Sequence, residues 1–461
     1  MMTSFERIIK VCLSLALILA MTPAFSHAAS WKAGVASVTI TPEEPMWMAG
    51  YGSRDKPSEG KIHDLHVKAL AIEDENGAKL VIVTADIIAV TTDFSNSVAD
   101  IIRERHGIPR EAILINSSHT HCGPESRTPF PFYIPKEWEP RIADYIDCMK
   151  TRYVQAIENA LNDVKPMDLG FTTARPVPFA VSRRFPTPEG IAYRSGPSSY
   201  YTGGPRDDTM PVLVASESGG AVRAIVFGYA CHPITLNIYK FCGGYPGFAQ
   251  QYIEEEFPEA VAMFVQGCAG QLVPNARYQI EYAEGHGRAL ALAVKNALGG
   301  RIQALSGPIV CAYDEVPLEF EPLPGRESLE NDLDSADNNT RRKAEYFLAK
   351  LDNGEQVSNV QNWPFQAIRF GDDLLMVGMS GETVVDYAVR FKSSFLTYKF
   401  VWVAGYSNHA SGYLPTWQIQ REGGYEGGTS MAHMPVTGPF TETVEKRVVD
   451  GVTGLVSKLR R

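Results

Sequence analysis

The sequence predicts an α/β protein, mixed α+β in character, folded as one large domain with its site at the carboxyl ends of several strands. Three observations predict it. Short apolar runs alternate with segments of helical periodicity. Five of the apolar runs lead directly into polar or glycine-rich residues. No linker-like stretch divides the chain, so residues 29–461 read as a single domain.

The elements follow in chain order. Residues 1–28 read as a secretory signal peptide: Arg7 and Lys10 are followed by an apolar run from Val11 to Met21 and by small residues at Ser26-His27-Ala28. The run is shorter than the roughly 20 residues a spanning helix needs. No later stretch is long and apolar enough to span, which places the mature protein in the periplasm or outside the cell. Lys79 to Ile87 reads as a buried strand. Phe94, Val98, Ile101, Ile102 and Arg105 recur at helical spacing, and Gly107 with Pro109 stops that helix. Ala112 to Ile115 is a second strand, completing a βαβ unit. Longer helices are expected from about Pro140 to Val164 and from Tyr282 to Leu298. Segment 321–363, charged and weakly apolar, reads as an exposed helical insertion.

Composition narrows the function. The chain has 461 residues, 44% hydrophobic and 21% charged, close to globular averages. Forty-three Lys and Arg against 53 Asp and Glu give a net charge of −10, with no basic run, which argues against a nucleic-acid partner. Six cysteines lie beyond the signal segment, too few for a disulfide scaffold, and most read as small buried residues.

The chemistry gathers at the strand ends. Ala112–Ile115 leads into Asn116–Pro124 (NSSHTHCGP), and Val222–Ala230 into Cys231-His232-Pro233. Ala260–Val265 leads into Gln266–Gly270, Leu374–Met379 into Ser380-Gly381-Glu382, and Phe400–Ala404 into Gly405–His409. In open α/β sheets, sites form outside the carboxyl ends of strands. If His119-Thr120-His121 is extended, both imidazoles point to one side. Together with His232 and Glu382 they make a donor set suited to zinc, which generates hydroxide near neutral pH. His63 and His66 flank Asp64 and read as supporting or surface residues. His106 lies at a helix C-terminus, and His286, His409 and His433 read as structural.

The ordered set of segments resembles the neutral/alkaline (non-lysosomal) ceramidases over residues 31–440. Asn116–Pro124 is similar to that family's His-x-His segment and Met48-Ala49-Gly50-Tyr51 to its early glycine-tyrosine segment. Tyr229–Pro233 with Asn237 resembles its second histidine segment, and Ser380–Thr383 its glutamate segment. Gly405–Asn408, Gly412-Tyr413 and Tyr425-Glu426 resemble its tyrosine segments. The resemblance implies one zinc ion per chain held by His119, His232, Glu382 and Tyr413, with His121, Arg183 and Tyr425 as catalytic residues. Arg184 is the rival of Arg183. It also implies a secreted amidase acting on a small-molecule or lipid substrate, N-acylsphingosine (ceramide) or a related N-acyl compound.

Two departures qualify that implication. Gly270–Asn275 carries Val273 where the family has its proposed catalytic serine, so no nucleophilic serine acts from that position. The chain also ends soon after the catalytic region, without the immunoglobulin-like C-terminal domain of full-length ceramidases. Two alternatives stay open. One is the same metal site acting on a non-lipid substrate, such as a carbohydrate derivative or a cell-wall amide or ester. The other is a non-catalytic binding protein. A ceramide pocket needs an apolar groove, for which Phe130, Phe132, Tyr133 and Ile134 are the candidates.

Overall fold

A computed structural model describes residues 31–193 and 203–460. The signal segment 1–28 lies outside the described residues, as do residues 194–202. The first sheet is built from β1 (Trp31–Thr39), β2 (His66–Glu73), β3 (Lys79–Ala85), β4 (Ile113–Ser117), β5 (Lys165–Ala174), β6 (Met210–Ser216), β7 (Val222–Tyr229) and β8 (Val261–Gln266). Its order is β8-β7-β6-β5-β1-β2-β3-β4, with the short strand Gln303–Ala304 added to β5. A second sheet runs β9 (Ile309–Glu319), β10 (Val360–Phe370), β11 (Leu374–Gly378), β12 (Phe400–Ala404).

The two sheets stack face to face, and alternation along each strand makes this possible. In β3, Leu80 and Ile82 enter the core between the sheets, where they join Leu374 and Met376 of β11 and Trp402 of β12. The intervening Val81 and Val83 face the other way, under helices α1 (Thr92–His106) and α2 (Glu139–Asn162). Helices α3 (Gly244–Glu256) and α4 (Ile280–Leu298) cover β6 and β7. The result is four layers, helix-sheet-sheet-helix. Each large apolar side chain buried there contributes on the order of 1.5–3 kcal/mol. No helix among the described residues is long and apolar enough to cross a membrane.

The expected βαβ unit is present, with β3 and β4 parallel around α1. Thr91 caps that helix by accepting from the Phe94 amide, and Gly107 closes it at φ 69°. The expected convergence of five strand ends also occurs, but not on one open parallel sheet. Only β3–β4 and β7–β8 are parallel in the first sheet, and β11–β12 in the second. The ends meet because two mostly antiparallel sheets are stacked in the same sense. Segment 321–363 holds α5 (Arg326–Asp332) and α6 (Asn338–Asp352), while its last residues already belong to β10. Two further helices, α7 (Val385–Ser394) and α8 (Val444–Lys458), cover the outer face of the second sheet.

One side chain joins three strand ends. Asn116, fully buried at the end of β4, accepts from the Gln266 amide of β8 at 2.8 Å. Its Nδ2 donates to the Gly405 carbonyl beyond β12 at 2.7 Å and lies 3.2 Å from Ser407 Oγ. Asn116→Ala would leave the Gln266 N–H and the Gly405 carbonyl buried without this partner, each costing about 1–3 kcal/mol. Urea unfolding of this variant is expected to show a loss of roughly 3 kcal/mol with an unchanged m-value.

Candidate metal centre

His119 follows β4. Its amide bonds the Ile87 carbonyl at 2.9 Å, and its Nδ1 lies 2.7 Å from the Ile88 carbonyl. The backbone there is not extended. His119 sits at φ 63°, so the chain turns, and it is this turn rather than a strand-like alternation that brings His121 Nε2 to 3.3 Å from His119 Nε2. His232 follows β7, and its Nδ1 lies 2.7 Å from the Ala269 carbonyl. Glu382 and Tyr413 are register partners in a two-strand parallel ladder beyond β11 and β12. Gly381 makes that ladder possible: it sits at φ 78°, and a Cβ there would lie 2.4 Å from the Trp363 ring.

The side chains converge. His232 Nε2 is 2.9 Å and His119 Nε2 3.2 Å from the same Glu382 oxygen. The Tyr413 hydroxyl is 3.3 Å from His232 Nε2. His119 and His232 are 1% and 0% exposed and Glu382 7%, while His121 is more open. The ligating atoms of His119, His121 and His232 all lie within 4.8 Å of one another.

The donor set fits a cation on its own chemistry. A carbonyl can only accept, so Nδ1 of both His119 and His232 carries the proton. Burial pushes the His232 pKa down to about 4, so this ring is neutral near pH 7 and its Nε2 presents a lone pair. That lone pair faces a carboxylate oxygen at 2.9 Å. Burial raises the Glu382 pKa, but the imidazoles of His119 and His232 outweigh it and hold the carboxyl well below its usual range. A neutral His232 with its Nε2 2.9 Å from a carboxylate oxygen leaves two acceptors facing each other unless a proton or a metal cation lies between them. Carbonyls that orient metal-binding imidazoles through the opposite nitrogen are the usual supporting arrangement. His119, His232, Glu382 and Tyr413 are thus brought together, with His121 beside them.

Arg183, Arg184 and Tyr425 separate into two positions. Arg183 donates to the Tyr413 hydroxyl at 2.6 Å and to the Gly270 carbonyl at 2.7 Å, and its guanidinium lies over the Tyr413 and Tyr425 rings at 5.3 and 5.4 Å. Arg184 turns away, to Glu422 at 2.9 Å and the Gly423 carbonyl at 3.0 Å. Both arginines share the buried Glu426, Arg183 through Nε at 2.6 Å and Arg184 through Nη1 at 3.0 Å. Val273 is fully buried, in a short strand paired with Ala180–Ser182, and packs with Val181 and Ile234.

Several contributors escaped sequence reasoning. Glu426 is one: a glutamate directly after Tyr425 is the signal in the sequence that could have suggested a counter-charge for the Arg183-Arg184 pair. Tyr51 packs on His121 with ring centroids 4.9 Å apart. Gly50 lets it approach, since a Cβ at that position would lie 2.5 Å from His121 Cγ. His433 lies 6.5 Å from Tyr425 and 5.6 Å from Tyr133, centroid to centroid, so it stands on the wall of the site. The expected apolar groove does not form from its candidates. Ile134 is in the core under the first sheet, Phe130 packs against that core, and Phe132 is buried against Tyr346. Only Tyr133 faces the site, where its hydroxyl accepts from Arg127, itself paired with the buried Glu125 at 2.8 Å. His63 accepts from the Gly243 amide at 2.7 Å, His106 pairs with Glu158 at 3.1 Å and His286 stacks on Phe179 at 4.2 Å. All six described cysteines are free. Four are buried, but Cys148 is exposed and Cys311 half-buried.

Comparisons with known proteins bear on the family and the fold. The family model for the N-terminal part of neutral/alkaline non-lysosomal ceramidase matches residues 31–286. Among solved structures, the neutral ceramidase from Pseudomonas aeruginosa is similar at a TM-score of 0.73 and 17% identity, over 94% of this chain and 75% of that one. A ceramidase complexed with C2 gives 0.71 and 18%, over 94% and 76%. At such identities the likeness is one of fold. No curated protein sequence matches the chain.

Acid sensitivity follows from the buried imidazoles. Burial lowers His232 and His409 to about 4 each, whereas unfolded histidines protonate near pH 6.5. Between those values the unfolded chain binds more protons than the folded one, so stability falls as pH is lowered from about 6.5 to 4. Urea midpoints of metal-free protein are expected to drop steadily across this window and to change little from these groups between pH 7 and 8.

Proposed function

The chain belongs to the neutral/alkaline non-lysosomal ceramidase family, and on that premise we propose that it is a secreted, zinc-dependent amidase with one metal ion per chain. Its family and fold are those of ceramidase-type hydrolases. The observation that carries the metal reading is the pair of imidazole Nε2 atoms at 2.9 and 3.2 Å from one Glu382 oxygen, each with Nδ1 held by a backbone carbonyl.

His119, His232 and Glu382 would hold the ion, with Tyr413 as the fourth ligand. The chemistry supplied by zinc at such a site is Lewis-acid activation of water and of a carbonyl oxygen. The residues of the chain do the rest. His121 is kept neutral near pH 7, because burial and then the His119 and His232 imidazoles lower its pKa well below the ordinary value. It accepts the proton of the attacking water and returns it to the leaving amine as the C–N bond breaks. Arg183, oriented by Glu426, and the Tyr425 hydroxyl donate to the developing oxyanion, an interaction worth about 3–4 kcal/mol per donor. Water is the nucleophile, since Val273 offers none.

A second reading changes the substrate. The wall near the metal site carries Tyr51, Tyr133, His433 and Tyr425, while Phe132 and Ile134 lie in packed positions. This favours a polar N-acyl compound, such as an acylated amino sugar, over the long chains of ceramide.

Elemental mass spectrometry on the mature protein is expected to find close to one zinc per chain, lost in His119→Ala and Glu382→Ala. A folded wild type without zinc would overturn the mechanism. Hydrolysis of N-acylsphingosine and of N-acetylated amino sugars, measured side by side, then separates the two substrate readings. Arg183→Lys, which keeps the charge but not the fork, is expected to lower kcat by about 100-fold with the metal retained.

A further inference from the structure

The rings at the candidate metal centre form a row that leads outward. His232, 0% exposed, stacks with Tyr413 at 6.1 Å between centroids, and Tyr413, 5% exposed, packs on Tyr425 at 5.3 Å. Tyr425 is half-buried and packs on Tyr193 at 5.0 Å, and Tyr193 is 41% exposed. Exposure thus rises step by step along contacting rings, from the buried imidazole to solvent. Large side chains exposed singly are ordinary, but Tyr193 is the outer end of a continuous wall.

The fold holds this ring at the mouth. Arg184–Thr187 and Gly190–Tyr193 form a β-hairpin in which Arg184 stands opposite Tyr193. None of residues 185–193 is buried, and a two-stranded hairpin alone is marginal in water. Arg184 clamps its root by donating to Glu422, Glu426 and the Gly423 carbonyl. The Arg183 guanidinium lies over the Tyr193 ring, 5.1 Å from its centroid. The remaining surface is the flat, uncharged body of a tyrosine, which is removed from water by apolar C–H groups. An amide whose carbonyl reaches Arg183 and Tyr425 would carry the rest of its molecule against that surface.

We propose that Tyr193 is a specificity-determining residue: its exposed ring packs on the C–H-rich surface of the part of the substrate that projects from the site, either a second sugar unit or the acyl chain. The inference rests on the amidase reading, which sets the scissile amide beside Arg183 and Tyr425. Titration calorimetry on the full chain supplied with zinc compares N-acetylglucosamine with two extensions of it, N-octanoylglucosamine at the acyl chain and diacetylchitobiose at the sugar. For a compound that is hydrolysed, kcat/KM replaces the binding constant. At least one extension is expected to gain about tenfold over N-acetylglucosamine, and the one that gains identifies the part that meets Tyr193. Tyr193→Ala should reduce that ratio to within about twofold, and Tyr193→Phe, which keeps the ring, should preserve it. The ratio decides, because a ring that only supported Arg183 would affect short and extended compounds alike and leave it unchanged. A wild type that shows this pattern yet hydrolyses none of the three would uphold the role of Tyr193 and count against the amidase reading alone. No gain from either extension, or a gain that persists in Tyr193→Ala, would overturn the proposal.

Discussion

The Asn116 carboxamide holds together what the site requires. One buried side chain accepts from β8 and donates beyond β12 while standing at the end of β4. These three ends belong to two different sheets, which dispersion forces alone would let slide. A hydrogen bond in a dry interior has a defined direction and a high cost of loss, so it sets the relative height of the strand ends where apolar packing cannot. Asn408 adds a second tie, its side-chain oxygen accepting from the Ile115 amide at 3.1 Å. The segments carrying His119, His232, Glu382 and Tyr413 all leave from this clamped region.

From that clamp the electrostatics follow. The carbonyls of Ile88 and Ala269 choose the tautomer of His119 and His232 and leave both Nε2 atoms facing an ionised carboxylate. Two acceptors facing each other in a buried place need a proton or a cation between them, and a cation there would find its donors already gathered. The Arg183–Glu426–Arg184 cluster works in the opposite sense. Arg183 and Arg184 share the buried Glu426, Glu422 completes the pairing of Arg184, and the Arg183 guanidinium is thereby fixed beside Tyr413. In the proposed mechanism, negative charge developing on a substrate oxygen would meet a donor fixed in advance, so little reorganisation would be needed.

The wall beside the candidate metal centre has a separate origin in the fold. Arg342 of α6 donates to the carbonyls of Phe132 and Ile134, on either side of Tyr133. Those bonds dock the α5–α6 segment on the loop that forms the wall, with Lys136 and Glu345 pairing at 3.0 Å nearby. The aromatic residues of residues 130–134 are thereby divided between packing and site. Their hydrophobicity alone does not say which will do which.

Much of the organisation is written in the sequence by itself. Apolar runs ending in NSSHTHCGP, CHP and SGE placed the chemistry at strand ends, and the spacing of Phe94, Val98 and Ile102 placed α1. The residue types of the proposed donor set could be picked out because zinc chemistry restricts them to a few residues. The stacking of two sheets was not legible, since both sheets and helices offer one apolar face and local pattern does not say which face meets which. Nor was the left-handed turn at His119, the choice between Arg183 and Arg184, or the burial of Phe132. Each of these is decided by contacts between residues far apart in the chain: Ile87 with His119, Glu426 with Arg183, Tyr346 with Phe132. Local sequence carries propensity and donor type, whereas direction and partner come only when the tertiary structure closes around them.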